Sequence, residues 1–275
     1  MKTALAGAAW IGLAALSGNV SLFAQPQEDR QLTCENGGYD SQRARHCLMR
    51  EQSAAAIGSL TVDASPNGGV TVKGAPRGDV MVRARVDAWG DNDSAAALLA
   101  SQVFIDTSGG QVRATGPESG KNNSGWSVSY EILVPQNMDL NLKSRNGGLA
   151  ISDVRGQIRF DVTNGGVRLR RVSGDVAGAT VNGGIQVELV GATWDGRQLD
   201  LRTNNGGVTV AMPTQYSAHI QAETGMGGIQ SDFPVALDSN NTRPRRLDYQ
   251  MGAGGGLIHI VTGNGSVRLK KAEAQ

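Results

Sequence analysis

The chain has 275 residues, of which 38 are glycine, 19% are charged and 4% are aromatic, and its formal net charge is +1. A net charge this close to zero gives no overall field that would draw nucleic acid or an anionic membrane, so we expect no nucleic-acid partner. Few aromatic residues and many glycines disfavour a conventional large globular core and favour many short strands joined by tight turns.

Residues 1–24 have the features of a secretory signal peptide. Lys2 supplies a positive charge, Ala4 to Leu16 is a run of small and apolar residues, and Ala24 offers a small residue for cleavage before Gln25. The alternative is an uncleaved membrane anchor, but Gly, Ser and Asn interrupt the run. No later run approaches the roughly eighteen apolar residues of a transmembrane helix. We therefore expect an exported protein, periplasmic or at the cell surface, that is not integral to the membrane once the signal is removed.

Residues 25–58 are expected to form a polar, irregular segment that holds the only two cysteines, Cys34 and Cys47. An even pair of cysteines in an exported chain favours a disulfide. Closing a loop of this length would contribute roughly 3 kcal/mol in the chain-entropy model. A reactive thiol pair or a zinc site with His46 is the alternative, but one imidazole and two thiols make an incomplete zinc set.

Short stretches that alternate apolar and polar residues predict strands in the next part of the chain. They are Ser59 to Val62, Val70 to Val72, Asp79 to Val86, Val103 to Ile105, Gln111 to Ala114 and Trp126 to Val134. One short helix is predicted near residues 94–101, because Ala95 to Ser101 is rich in Ala and Leu and lacks β-branched residues. Asp93 or Ser94 can cap it.

From residue 140 to residue 269 the chain repeats one motif, Asn-Gly-Gly followed by an alternating apolar strand. An earlier copy precedes this region, and the last copy is degenerate: the Asn residues are Asn67, Asn146, Asn164, Asn182, Asn205 and Asn264. The first two spacings in the central block are both 18 residues (164 − 146 and 182 − 164). Positions six, four and two before each Asn, and three and five after it, are mostly apolar, and the positions between them are mostly polar. A fixed period near twenty residues is typical of a chain that stacks one small unit on itself.

We therefore predict an all-β fold, a β-solenoid resembling a parallel β-helix, in which each strand pairs with the equivalent strand one period along. The alternative is an antiparallel β-sandwich or meander, in which each Asn-Gly turn closes a hairpin. The regular offset and the repeated inward face favour the solenoid. In such a stack, Asn side chains at successive turns can form a ladder of amide hydrogen bonds.

The strand Tyr130-Glu131-Ile132-Leu133-Val134-Pro135, the Leu-x-Leu segment after it and the repeated Asn-Gly-Gly-aliphatic units resemble the bacterial DUF4097 family, which is also labelled a putative adhesin domain. The resemblance covers roughly residues 55–271, and we assign the repeat domain to residues 59–271, with regular repeats at 140–269. It implies an exported β-strand repeat protein of the cell envelope and brings no established catalytic residues. The cysteine segment lies outside the resemblance.

Little in the sequence indicates an enzyme, a cofactor or a metal. The histidines are His46, His219 and His259, and the last two fall between inward positions, so they are predicted to point outward. No zinc-protease, nucleophile-elbow or P-loop motif is present. Gly252 to Gly256 lacks the strand-loop-helix context of a phosphate-binding loop, and the outward repeat positions do not gather carboxylates.

The sequence thus favours a non-enzymatic structural or adhesive module that contacts envelope polymers or proteins, which the sequence does not identify. One alternative is a carbohydrate-binding module, because Trp89 and Trp194 are predicted in loops where an indole could meet a sugar, whereas Trp126 is predicted to lie in the core. A second alternative is a solenoid enzyme that cleaves polysaccharides, for which the repeat positions supply no acidic cleft.

Overall fold

The computed structural model describes residues 31–36, 43–118, 123–235 and 244–272. The chain divides into two compact units, Met1–Gln31 and Leu32–Gln275, and every helix and strand named below lies in the second. The predicted signal segment, residues 1–24, falls outside the described residues.

The described residues are mostly β-strand. In chain order the strands are β1 (Ala44–Ala55), β2 (Ser59–Asp63), β3 (Val70–Ala75), β4 (Asp79–Gly90), β5 (Phe104–Asp106), β6 (Gln111–Thr115), β7 (Gly125–Pro135), β8 (Asp139–Asn146), β9 (Leu149–Ser152), β10 (Arg155–Asn164), β11 (Val167–Arg170), β12 (Ser173–Asn182), β13 (Ile185–Glu188), β14 (Gln198–Asn205), β15 (Val208–Met212), β16 (Ala218–Thr224), β17 (Ile229–Ser231), β18 (Arg246–Met251), β19 (Leu257–Asn264) and β20 (Val267–Lys271). One helix, α1, spans Asp93–Ser101, and short 3-10 turns cover Cys34–Asn36 and Ser108–Gly110.

The strands form two long sheets. Sheet A has the order β1-β4-β7-β3-β9-β11-β13-β15-β20-β17, and sheet B has the order β18-β16-β19-β14-β12-β10-β8-β2-β6-β5. Each coil gives one strand to each sheet, and equivalent strands pair in parallel without a register shift, as where Ile158 lies opposite both Leu140 and Val176. The all-β, solenoid-like prediction is confirmed, and antiparallel pairing occurs only towards the ends of the sheets.

The core lies between the two sheets and consists of the inward aliphatic columns. Leu142, Leu201 and Ile260 occupy the same position of three coils and are fully buried. Phe160 and Gly178 are neighbours in the same column, and the ring of Phe160 fills the space that a side chain at residue 178 would need. Burying each large aliphatic side chain stabilises the fold by roughly 1.5–3 kcal/mol. Since ordering each residue costs roughly 1–2 kcal/mol, one coil cannot stand alone and must be covered by its neighbours.

The turns stack so closely that the first glycine of each Asn-Gly-Gly motif must lack a side chain. A Cβ at Gly165 would overlap the carbonyl oxygen of Gly147, and a Cβ at Gly183 would overlap that of Gly165. We call this set the first-glycine column: Gly68, Gly147, Gly165, Gly183, Gly206, Gly265 and Gly227 in spatial order. Backbone lies against backbone along the whole turn edge.

The Asn side chains form a ladder on the same edge. Nδ2 of Asn146 donates to Oδ1 of Asn67 at 2.9 Å, and Nδ2 of Asn164 donates to Oδ1 of Asn146 at 2.8 Å. Three further rungs of 2.8 Å each continue through Asn182, Asn205 and Asn264. A side-chain amide both donates and accepts, whereas an ionised carboxylate only accepts. The ladder expected from the sequence is present, and this is why the position holds Asn rather than Asp.

Buried hydroxyl groups tie each coil to its neighbour. Oγ1 of Thr203 donates to the carbonyl of Gly183 at 2.8 Å, and equivalent bonds come from Ser144, Thr180, Thr224 and Thr262. Strand β10 has Val162 at this position, and there Oγ of Ser144 also lies 3.1 Å from the carbonyl oxygen of Gly147, to which its single hydroxyl proton can be directed instead. The hydroxyls satisfy glycine carbonyls that would otherwise be buried and unpaired.

Both ends of the stack depart from chain order. The β2/β3 coil lies between β6/β7 and β8/β9, and the β19/β20 coil lies between β14/β15 and β16/β17. The expectation that every coil pairs with the next one in the chain is therefore wrong at the ends. The segments that finish the stack carry antiparallel strands, β4 and β1 on sheet A and β5 and β18 on sheet B. They cover the edges of the parallel strands β7, β16 and β6, whereas the parallel strand β17 is itself the last strand of sheet A.

Strand β1 and helix α1 each correct an expectation. Residues 44–55, predicted to be irregular, form the twelve-residue strand β1, antiparallel to β4. Its inward positions include Arg50 and Gln52, which bond to the carbonyls of Ser101 and Ile105, so the apolar alternation that marks a strand is missing. Helix α1 is capped by Asn92, whose Oδ1 accepts from the Ala95 amide at 2.9 Å, rather than by Asp93 or Ser94.

Gly165→Ala is expected to lower the free energy of unfolding by about 3 kcal/mol, at the upper end of overpacking costs, because the methyl group would push two stacked turns apart. The matched control is Gly78→Ala, where an added Cβ meets nothing within 4 Å and should change stability by about 0.5 kcal/mol or less. Urea denaturation of both variants measures this. Equal losses in the two would mean that turn stacking does not require the missing side chain.

Thr203→Val is expected to cost about 1–3 kcal/mol, because it removes the hydroxyl and leaves the Gly183 carbonyl unpaired at nearly constant volume. Val162→Thr is the reciprocal control, since a hydroxyl there can reach the Gly147 carbonyl, and it should be neutral or stabilise by up to about 1 kcal/mol. Chemical denaturation of both variants tests the pair. If Thr203→Val unfolded like the wild type, the hydroxyl bonds would contribute nothing to the stack.

Candidate functional site

A groove of about 580 Å³ crosses the outer face of sheet A, from the middle of β7 over the turn ends of β3, β9, β11 and β13. Its floor is the second glycine of successive motifs, and its sides include Thr71, Ala150, Arg168 and Gln186. The floor glycines are Gly69, Gly148, Gly166 and Gly184. The groove therefore follows from the repeat itself, because an outward position without a side chain recurs in the four coils that form its floor.

Stacking does not force the floor to be glycine at Gly166. A Cβ at Gly166 would lie 3.5 Å from the carbonyl oxygen of Gly184, which is an ordinary contact. In the degenerate copy of the motif Ser266 occupies the same position and is exposed, so this chain already accommodates a side chain there. The close stacking of the turns requires the first glycine of the motif, whereas the second glycine leaves an open space at the surface.

Polar groups line one side of the groove in register. Arg168 lies opposite Ala150 on β9 and Gln186 on β13. Its Nε and Nη2 donate to Oε1 of Gln186 at 3.4 and 3.3 Å. Two residues along the same strand, Nε of Arg170 donates to Oε2 of Glu188 at 2.7 Å. The guanidinium groups thus lie across neighbouring strands and form a flat polar surface.

The cysteine segment lies at one end of this groove. Cys34 and Cys47 form a disulfide with a Cα–Cα distance of 5.7 Å, which joins residues 31–36 to β1. From there the Thr33 carbonyl accepts from Nη1 of Arg85 on β4, and the Leu32 amide donates to Oε2 of Glu131 on β7 at 3.0 Å. Leu32 lines the groove. The sulfurs are bonded to each other, so they offer no thiolates for the zinc alternative with His46.

A second groove of about 330 Å³ lies on sheet B, where β8, β10, β12 and β14 begin. Its floor contains Gly156, Gly174 and Gly196, which form another steric column: a Cβ on each would overlap the carbonyl of Met138, Gly156 and Gly174, respectively. This column was not predicted from the sequence. Its signal was a glycine eight or nine residues before the motif Asn.

Asp175 is the buried charge of this second groove. Its side chain accepts from Nη2 of Arg197 at 2.5 Å and from Nη2 of Arg159 at 3.5 Å, and only 7% of the residue is exposed. The hydrogen bond from Arg197 holds the pKa of Asp175 below the ordinary carboxyl value, although burial opposes the shift. The other carboxylate oxygen, Oδ1, is buried without a partner. Nearby, Arg155 pairs with Asp195.

Both repeat histidines lie on outward positions of sheet B, where the sequence placed them. Nδ1 of His259 lies 3.0 Å from Oδ1 of Asp200, and Nε2 of His219 lies 2.7 Å from Oδ1 of Asp248. This bond is the main cause of the lowered pKa of Asp248. Neither histidine lines either groove, and the two pairs occupy an open sheet face.

Trp89, Trp126 and Trp194, the tryptophans of the described residues, line neither groove. Trp194 is 4% exposed and packs against Gly256, so its ring faces cannot stack on a sugar. Trp89 lies within β4, not in a loop, and its half-buried ring covers Gly125 on β7. Trp126 is buried, as predicted, and its Nε1 donates to the Pro117 carbonyl at 2.9 Å.

Within the described residues, no group of three or more His, Cys, Asp or Glu side chains could hold a metal ion. In that same part of the chain, none of the helices has the length and apolar character needed to cross a membrane.

The chain belongs to the DUF4097 family. The family model, described as Toastrack DUF4097, matches residues 53–270 and confirms the assignment made from the Asn-Gly-Gly units. The comparison with curated proteins gave no match.

Solved structures resemble the chain distantly. A putative cell adhesion protein from Clostridium sporogenes is 11% identical with a TM-score of 0.40, and the match covers 82% of this chain and 100% of that one. A putative adhesin from Bacteroides fragilis is 10% identical with a TM-score of 0.32, covering 82% and 97%. A putative lipid binding protein from Parabacteroides distasonis is 10% identical with a TM-score of 0.30, covering 82% and 97%. At these values the similarity says nothing about what this chain binds.

Asp175→Asn is expected to destabilise the protein by about 1 kcal/mol near pH 7, because it removes a charged acceptor from Arg197. The folded-state pKa is lowered, so the contribution of Asp175 is fully present above the ordinary carboxyl value of about 3.9 and is lost as pH falls through the lowered value. The difference from the wild type should therefore vanish near pH 2. Urea denaturation across this pH range measures it. Asp161→Asn, an exposed carboxylate on the same face, is the control, and a pH-independent deficit in Asp175→Asn would contradict the assignment.

Proposed function

We propose that this protein is an exported, non-enzymatic binding scaffold of the bacterial cell envelope. The observation that carries the proposal is the pair of long outer sheet faces, whose polar side chains repeat in register from coil to coil. Side chains repeated at the strand spacing of about 4.8 Å suit a repeating partner better than a single small molecule. The groove over Gly69, Gly148, Gly166 and Gly184 runs in the same direction, across the strands.

The charged groups on these faces support a binding role rather than catalysis. Most of them pair with a neighbour along the face, as Arg170 does with Glu188 and Arg202 with Asp200. A catalytic site would instead gather an acid, a base or a nucleophile around one point. The His259–Asp200 pair lies on an open face and lines neither groove, which gives the polysaccharide-cleaving alternative no support.

Export is supported by the Cys34–Cys47 disulfide, because such bonds form and persist in oxidising compartments. The features of residues 1–24 agree with this. Because Trp194 is buried, it cannot be the centre of a carbohydrate site. In the carbohydrate-binding alternative, a sugar chain would therefore bind along a groove.

Incubation of the purified protein with isolated cell envelopes should deplete it from solution in a saturable manner, while underivatised agarose should not. Fractionation of the producing cells should place the mature chain in the periplasm or at the surface, with the cysteines oxidised. A protein that stays in the cytoplasm, or that no envelope fraction retains, would contradict the proposal. So would release of reducing sugars from envelope polysaccharides.

A further inference from the structure

The two outer faces of the stack differ in charge, although the whole chain is nearly neutral. In the six coils from β2/β3 to β19/β20, the strands of sheet B carry equal numbers of cations and anions: Lys143, Arg145, Arg155, Arg159 and Arg202 against Asp63, Asp139, Asp161, Asp175 and Asp200. The strands of sheet A in the same coils are almost purely cationic: Lys73, Arg168, Arg170, Arg268, Lys270 and Lys271 against Glu188. The net charge of the chain conceals this asymmetry.

Five of these cations point outward, and we call them the cationic face: Lys73, Arg168, Arg170, Arg268 and Lys270. They form two rows across the strands. Arg168 and Arg268 share one row, three strands apart, which is about 14 Å. Lys73, Arg170 and Lys270 share the next, with separations of about 10 and 14 Å. These distances exceed the Debye length at physiological salt, about 8 Å, so the cations act on a ligand as separate contact points spaced along each row.

In the row of Arg168 and Arg268 the neighbouring groups are neutral and form hydrogen bonds, whereas in the second row Glu188 pairs with Arg170. Oε1 of Gln186 accepts from Arg168, and Oε1 of Gln230 accepts from Arg268 at 3.1 and 2.9 Å. Thr71 and Thr209 lie in the same row. Arginine recognises carboxylates through its planar guanidinium, and amides and hydroxyls match sugar hydroxyls as donors and acceptors. The face therefore offers both kinds of contact in alternation.

The groove borders this face. Arg168 and Gln186 line it, and its floor at Gly166 is backbone. A chain lying in the groove would run across the strands, parallel to the two rows of cations. Ser266 shows that a side chain is sterically acceptable at the floor position. A substitution at Gly166 can therefore fill the groove without destabilising the fold.

We propose that the outer face of sheet A binds an extended anionic polysaccharide, whose carboxylates contact the cationic face while the chain follows the groove. This inference rests on the proposed binding function and names its ligand class. Charge complementarity selects an anionic polymer over a neutral one.

Two other anionic partners fit less well. Single-stranded nucleic acid is usually held by aromatic side chains that stack on the bases, and the sheet A strands of these coils contain no aromatic residue. Membrane surfaces are bound through exposed apolar side chains beside the cations. Among the described residues, the large exposed apolar side chains are Ile57, Leu98, Phe104, Val181, Val190 and Met226, and none belongs to these strands.

The test measures binding of the intact protein to polygalacturonate by biolayer interferometry at low and physiological salt, with dextran as the neutral polymer. The sheet A variant is Arg168→Gln with Arg268→Gln, and the matched sheet B variant is Lys143→Gln with Arg202→Gln. We expect the Kd for polygalacturonate to rise about tenfold or more in the sheet A variant and to stay unchanged in the sheet B variant. Gly166→Ser, which fills the groove, should also weaken binding while its unfolding midpoint stays that of the wild type.

Several outcomes would overturn the inference. They are equal losses in the two double variants, equal binding to dextran, or tighter binding to duplex DNA or to phosphatidylglycerol vesicles than to polygalacturonate. If isolated envelopes retain the protein but polygalacturonate does not bind, the ligand class is wrong and the scaffold function stands. If neither retains it, both proposals fail.

Discussion

The structure depends on the close approach of one turn backbone to the next along the edge of the stack. Gly165 can lie against the Gly147 carbonyl only because it has no Cβ, and the same is true at each turn of the column. This close approach buries the glycine carbonyl groups, and hydroxyl groups such as that of Thr203 donate hydrogen bonds to them. The Asn ladder pairs the side chains on the outside of the same turns. Sterics, buried hydrogen bonds and exposed hydrogen bonds therefore all impose one register on every coil.

A fixed register has a consequence for the surface. Because equivalent residues pair without a shift, every outward position becomes a row that runs the length of the stack. A row of second glycines becomes a groove, and a row that contains Arg168 and Arg268 becomes part of a charged strip. The surface that we propose as the binding site is thus built by the same repetition that builds the core. No loop has to be positioned separately to create it.

The sequence predicted the repeat well because its signal is local and recurs. The inward columns, the Asn ladder and the outward histidines all follow from counting residues away from each Asn. Strand β1 was missed because Arg50 and Gln52 take inward positions and bond to carbonyls, which conceals the apolar alternation. The glycine column through Gly156, Gly174 and Gly196 was missed because only the residues near each Asn were compared. Trp89 was assigned to a loop from its Gly and Asp neighbours but lies within β4, whereas Trp194 does lie between β13 and β14 and is buried there rather than exposed.

The amino-acid sequence by itself determined the unit: its length, its inward face, its turn and its tendency to stack on a copy of itself. Only the tertiary structure decided which units are neighbours at the ends, where the last coil, β19/β20, inserts inside β16/β17. Strands with the same pattern offer equivalent edges to any partner, so their residues cannot specify the order in which they pair. The separation of charge between the two sheets has the same origin. Residues far apart in the chain, such as Lys73, Arg168 and Lys270, share a face only once the coils have stacked.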